Sequence, residues 1–129
     1  MAKRFTPSKL GALSEEFEQP QDFDKVHETI DCKFRLHYVA EFGQILYLVG
    51  SDPAMGEWRH QSAVLMHWQP GDFWITDVTI SKEIPSEYKY IVKADNGTVI
   101  RWEEGPNRIL SVPNYDNATL KIYDHWGSR

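Results

Sequence analysis

From Ile30 onward, apolar side chains fall on every second position. Ile30, Cys32, Phe34, Leu36 and Tyr38 alternate with Asp31, Lys33, Arg35 and His37. A period of two puts the first set on one face of an extended chain, so the pattern predicts a half-buried strand. Glu41-Phe42-Gly43 makes a turn. Ile45 to Val49 is a nearly continuous apolar run that stops at Gly50-Ser51. It is too short for a good helix and reads as a buried central strand. Ser51 to Arg59 is rich in helix and strand breakers and predicts a loop, with Trp58 near its end.

The remaining elements follow the same logic. Ala63 to Trp68 is a short strand, and Gln69-Pro70-Gly71-Asp72 is a turn. Phe73 to Ile80 is a strand with Trp74, Thr76, Val78 and Ile80 on one face. Glu87 to Val92 sets Tyr88, Tyr90 and Val92 against Lys89 and Ile91. Asp95-Asn96-Gly97 is a hairpin turn, and Thr98 to Trp102 is the return strand. Gly105-Pro106-Asn107 forces another turn. Ile109 to Val112 and Ala118 to Tyr123 close the series, followed by Asp124-His125-Trp126. Seven or eight short strands without a strong helix predict an all-β fold, an antiparallel β-sandwich of immunoglobulin-like type.

Residues 1–28 have a different composition. Ser14 could cap a short helix that Pro20 ends, but Phe5, Leu10, Leu13, Phe17 and Phe23 are too sparse for a core. The segment reads as a partly ordered N-terminal tail, and residues 29–129 as the folded domain.

Composition narrows the function. Five Trp, six Tyr and six Phe in 129 residues exceed what one small core needs, so some rings belong on the surface, where they usually mean binding. A net charge of −5 without a basic stripe argues against nucleic acid. A lone cysteine, Cys32, has no internal disulfide partner and sits in the apolar alternation. It reads as a buried structural thiol in an intracellular setting, cytoplasmic or plastid. No apolar run approaches the roughly 20 residues that span a bilayer. No apolar stretch follows the basic start, so it is not a secretory signal.

Catalysis finds little support. Glu103 and Glu104 are adjacent, so on a strand they point to opposite faces and cannot flank one glycosidic bond. His27, His37, His60, His67 and His125 lack metal-ligand spacing, and neither a phosphate loop nor a nucleophile elbow is present. No metal and no cofactor are expected. Among the rings, Trp74 reads as core and Trp126 as packing. Trp58 and Trp102 sit at strand–loop junctions, where spacing alone leaves core and surface equally open.

Five stretches in order decide between those readings. They are Gly43-Gln44-Ile45-Leu46-Tyr47-Leu48-Val49-Gly50-Ser51, Met55-Gly56-Glu57-Trp58, Trp74, Glu87-Tyr88-Lys89-Tyr90, and Trp102-Glu103 with Pro106-Asn107-Arg108. Together they resemble the starch-binding domain of carbohydrate-binding module family 20, over roughly residues 30 to 126. The resemblance implies non-catalytic binding of α-1,4-glucan, as starch or glycogen. It implies tethering of an attached catalytic domain or partner enzyme. It implies a first site of Trp58, Lys89, Trp102, Glu103 and Asn107, with the two indoles stacked on glucose units. A second site would use Phe42 and Trp68. The related alternative is a protein-interaction module that spends the same aromatics on a subunit interface.

The chemistry suits the ligand. A glucan offers apolar C–H faces and a hydroxyl rim, and an indole covers the first. Lys89 donates to hydroxyls, Asn107 donates and accepts, and Glu103 accepts or orients Lys89.

Overall fold

The computed structural model describes residues 28–82, 85–111 and 119–128. The N-terminal tail lies outside the described residues apart from Glu28, as do Val112 and Ala118. Nine strands are present among the described residues: β1 (Thr29–His37), β2 (Gln44–Gly50), β3 (Val64–Leu65), β4 (His67–Gln69), β5 (Phe73–Ser81), β6 (Ser86–Ala94), β7 (Val99–Trp102), β8 (Arg108–Leu110) and β9 (Thr119–His125). One sheet has the order β9-β1-β5-β4. The other has the order β3-β2-β6-β7, with β8 also paired to β6.

The all-β sandwich is present. Its strand pairs are antiparallel except β9 with β1, which run parallel. The alternation read from β1 is realised residue for residue, with Ile30, Cys32, Phe34 and Leu36 buried and Asp31, Lys33 and Arg35 exposed. A slip of one position would carry those three charges into the core, so burial pins the register.

The core is the space between the sheets. Phe34 and Leu36 meet Leu46, Leu48, Tyr88, Tyr90 and Val92 across it, with Trp74, Val78 and Ile80 beside them. Each fully buried large apolar side chain contributes about 1.5–3 kcal/mol. Trp74 donates its indole N–H to the carbonyl of Tyr38 at 3.1 Å, so its polar atom is satisfied inside.

Two departures from the expected strands matter. The expected strand over Ala63–Trp68 is split at the buried Met66. β3 pairs with β2, β4 pairs with β5, and one continuous stretch thus crosses from sheet to sheet. The second departure concerns β7 and β8, which lie end to end along the same edge of β6. Glu103 still donates its N–H to the Tyr90 carbonyl at 3.0 Å; the chain leaves that edge after it and returns at Arg108, and the exposed residues 104–107 form a bulge between.

Candidate functional site

β6 is the strand that organises the candidate surface. Its even-numbered residues face the core. Its odd-numbered residues, Glu87, Lys89, Ile91 and Lys93, face away from the other sheet. Residues opposite one another in an antiparallel register share a face. Trp102 and Tyr47 therefore flank Ile91 on the outer face, with Leu65 beyond Tyr47. Trp102 is 39% exposed. Ile91 and Val49 are fully buried yet lie outside the main core, because the outer face is itself covered in part.

The cover includes the loop after β2. Asp52 caps a short 3₁₀ turn over Pro53–Met55 by accepting from the Ala54 N–H at 2.8 Å. Its second carboxylate oxygen accepts from the Ser81 N–H at 3.1 Å. Gly56, Glu57 and Trp58 then take positive φ values of 87°, 51° and 67°. A left-handed conformation costs a non-glycine residue about 1–2 kcal/mol, so two such residues in succession need support from their surroundings. The Trp58 N–H donates to the Gly50 carbonyl at 2.9 Å, which sets the half-buried Trp58 at the end of β2. Lys93 donates to the carbonyl of His60 at 2.6 Å and ties the far side of the loop to the outer face.

Lys89 spans the bulge between β7 and β8. Its ammonium donates to the carbonyls of Glu103 at 3.1 Å and Gly105 at 2.6 Å. An ammonium has three donors, so one remains for a ligand. Asn107 is exposed and donates from Nδ2 to Glu87 Oε1 at 2.9 Å, which leaves its Oδ1 as an outward acceptor. Gly50 and Arg108 both register with Tyr88, on opposite sides of β6. Trp58 and Asn107 are thus at one level of the sheet, across two strand spacings of roughly 5 Å each. Lys89, Trp102 and Asn107 follow one another along the same edge of β6, and the Trp58 backbone lies across the sheet at the level of Asn107.

Glu103 is not a member of that outward set. Its carboxylate, expected to meet sugar hydroxyls or orient Lys89, is turned inward in a residue only 1% exposed. It receives Arg108 Nη2 at 2.7 Å and Nε at 3.1 Å, and the Gly127 N–H at 2.9 Å. Its Oε1 also faces the Tyr90 N–H at 3.4 Å, where the strand ladder is interrupted by the bulge. Glu103 meets Lys89 through its backbone carbonyl. Arg108 additionally reaches Asp124 at 3.3 Å, and the hydroxyls of Tyr88 and Tyr90 both donate to Asp124 Oδ2, at 2.8 and 2.7 Å. Burial, followed by the Asp124 charge, pushes both phenols upward, so they stay protonated donors.

Glu104, by contrast, is exposed. It forms a two-pronged pair with Arg101, at 2.7 and 3.1 Å, and accepts from the Trp126 indole at 3.2 Å. The Arg101 hydrogen bonds hold its carboxyl down at about 2. Arg101 also lies 4.9 Å from the Trp126 ring centre, and Tyr38 packs on that ring at 4.6 Å. Trp126 is therefore a packed residue.

Phe42 and Trp68 lie elsewhere. Phe42 tops the turn before β2 and is fully exposed. Trp68, on the edge strand β4, is 52% exposed and donates to Asp72 Oδ1 at 3.2 Å. The Asp72 carbonyl accepts from the Tyr38 N–H at 3.0 Å, which brings Trp68 toward the β1–β2 connection that carries Phe42. Phe42 and Trp58 bracket β2, whose seven residues extend roughly 20 Å.

Among the described residues, no group of three His, Cys, Asp or Glu side chains could hold a metal ion. No helix there is long and apolar enough to cross a membrane. Sequence reasoning passed over Lys93, Glu87, Arg108 and Asp124. The signal for Lys93 was present, since it continues the odd-numbered face of Glu87, Lys89 and Ile91.

Solved structures share this architecture. The chain is similar to a glycoside hydrolase family 15 glucoamylase from Hypocrea jecorina, at a TM-score of 0.72 and 27% identity, over 80% of this chain and 18% of that one. It also superposes on the family 20 carbohydrate-binding module of a maltotetraose-forming amylase from Pseudomonas saccharophila, at a TM-score of 0.62 and 20% identity, covering 75% of this chain and all of that one. The fold is thus that of a carbohydrate-binding module. Within that class the chain belongs to the starch-binding domain family, whose pattern matches residues 29–122. Curated relatives include the 4-alpha-glucanotransferase DPE2 of Oryza sativa subsp. japonica, 31% identical over 76% of this chain and 11% of the relative. Another is the human starch-binding domain-containing protein 1, 26% identical over 78% of this chain and 26% of the relative. The chain therefore spans about a tenth to a quarter of the length of these relatives.

Proposed function

We propose that the domain binds α-1,4-glucan, as starch, glycogen or maltooligosaccharide, by stacking Trp58 and Trp102 on glucose units. It thereby tethers an attached or partner enzyme to the polysaccharide. The observation that carries this reading is the partly exposed Trp102 at the end of β7, on the outer face of the sheet opposite Ile91, with Lys89 and Asn107 next along the same edge of β6. Two rings presented from different loops suit a twisted chain, and a pair of polar groups suits its hydroxyl rim. Each stacked contact adds about 0.5–1.5 kcal/mol beyond area burial, by analogy with aromatic pairs. A shallow, wet site of this kind gives single-site dissociation constants on the order of micromolar to millimolar.

Phe42 and Trp68 form the second site in this proposal, at the other end of β2. Two sites on one polymer raise retention through effective concentration without any new contact. Tethering is supported by the relatives: the glucanotransferase and the glucoamylase devote only a small part of their length to the matching region.

The test is direct. Folded protein is incubated with insoluble starch, and Trp fluorescence is followed during β-cyclodextrin titration. Retention on the granules and a saturable spectral change are expected. A folded sample that shows neither overturns the glucan reading and leaves a protein-interaction role for the exposed rings.

A further inference from the structure

The loop that carries Trp58 is held in a conformation its residues resist, with φ of 51° at Glu57 and 67° at Trp58. Its glycine is required twice over. Gly56 has φ of 87°, and a Cβ there would sit 2.7 Å from the Ser62 carbonyl oxygen. Strain of this kind persists only where surrounding contacts over-determine it. On one side the loop is held by Asp52 and by the Trp58 N–H bond to Gly50. On the other side, where the loop runs into β3, a buried cation also holds it.

That cation is Lys93. A lysine on an outer sheet face ordinarily extends into water, yet Lys93 is only 6% exposed. Its ammonium donates to the His60 carbonyl at 2.6 Å and lies 4.4 Å from the centre of the Tyr47 ring. Among the described residues it has no carboxylate partner within ion-pair distance. A desolvated charge is retained here by a backbone oxygen and an aromatic face. The His60 contact joins the 51–63 loop to β6, and the Tyr47 contact joins β6 to β2.

We propose that Lys93 is a positioning residue for glucan binding, which clamps the 51–63 loop onto the sheet so that the Trp58 indole is presented ready for its ligand. The inference rests on the reading of Trp58 as a stacking residue. The physical reason is preorganisation. A loop already fixed in its binding conformation need not be ordered when ligand arrives. Without the clamp, Glu57 and Trp58 can relax toward ordinary negative φ, and the indole leaves its place.

The experiment uses β-cyclodextrin titration of the full chain. It compares the parent protein, K93M, K93R, W58A and W58A/K93M. Met keeps the apolar stem without the charge, and Arg keeps a cationic donor. K93M is expected to weaken binding about tenfold, K93R to recover most of that loss, and W58A/K93M to bind no more weakly than W58A. K93Q, shorter and neutral, reads the same loss if K93M does not fold. Folded K93M (or K93Q in its stead) binding like the parent overturns the proposal. So does a further tenfold loss when K93M is added to W58A, since the effect would then not act through Trp58. A parent protein that fails to bind overturns the glucan reading itself, and the inference with it.

Discussion

The carboxylate of Glu103 and the guanidinium of Arg108 meet at 2.7 Å with side chains 0% and 6% exposed. They close the bulge where the chain steps off the edge of β6 and returns to it. Removing one partner of a buried pair costs about 3–5 kcal/mol; here Arg108 keeps its longer contact to Asp124, which sets the loss toward the low end of that range. Glu103→Ala is therefore expected to lose stability of that order in urea unfolding. Any loss of glucan binding should follow from unfolding of the 103–107 bulge. A variant with parental stability would mean that the carboxylate is not tied down as described.

Trp102 should behave in the opposite way. It is partly exposed on the outer face, at the end of a short edge strand. Trp102→Ala is expected to lower affinity for β-cyclodextrin by tenfold or more while costing about 2–3 kcal/mol in stability, since the ring is 39% exposed and only part of its area is covered by folding. Melting temperature and titration, measured on the same sample, separate the two effects. A collapse of the melting temperature would place Trp102 among the core residues.

Phe42 projects fully into solvent and gives the folded state little. Phe42→Ala is expected to change stability by less than about 0.5 kcal/mol. Retention on granular starch, which can engage two sites, should fall. A short maltooligosaccharide bound at the Trp58–Trp102 surface should bind as before. Unchanged retention on granules would remove Phe42 from the second site.

Cys32 lies in the core, and burial, then the nearby Asp31 and Asp52 charges, push its thiol up to about 11. The thiolate is the reactive form, and a shift of that size leaves on the order of one thiol in a thousand ionised at pH 8. Iodoacetamide at pH 8 is expected to leave the native protein unmodified over hours and to label it rapidly in urea. Mass spectrometry reads both. Fast labelling of folded protein would show that the core strand opens readily.

Much of the fold was legible from local patterns. The alternation over Ile30–Leu36 and over Tyr88–Val92 reported which side chains face inward, because a strand has a strict period of two. Gly43, Gly97 and Gly105 marked three turns, each glycine now with positive φ. The split at Met66 was not legible, since a short extended stretch looks the same whether it stays in one sheet or crosses to the other. The parallel pairing of β9 with β1 was hidden for a similar reason, because nothing in either segment states the direction of its neighbour.

By itself the sequence determined the sandwich, its inward residues, the loop position of Trp58 and the identity of the rings available to a ligand. These follow from side-chain period and turn chemistry, which act over a few residues. The tertiary structure decided that Glu103 turns inward to Arg108, that Lys93 is buried under the Trp58 loop, and that Lys89 bridges the bulge. Each of those outcomes depends on which distant backbone lies across the sheet, and a register set by long-range packing is written in no single stretch of the chain.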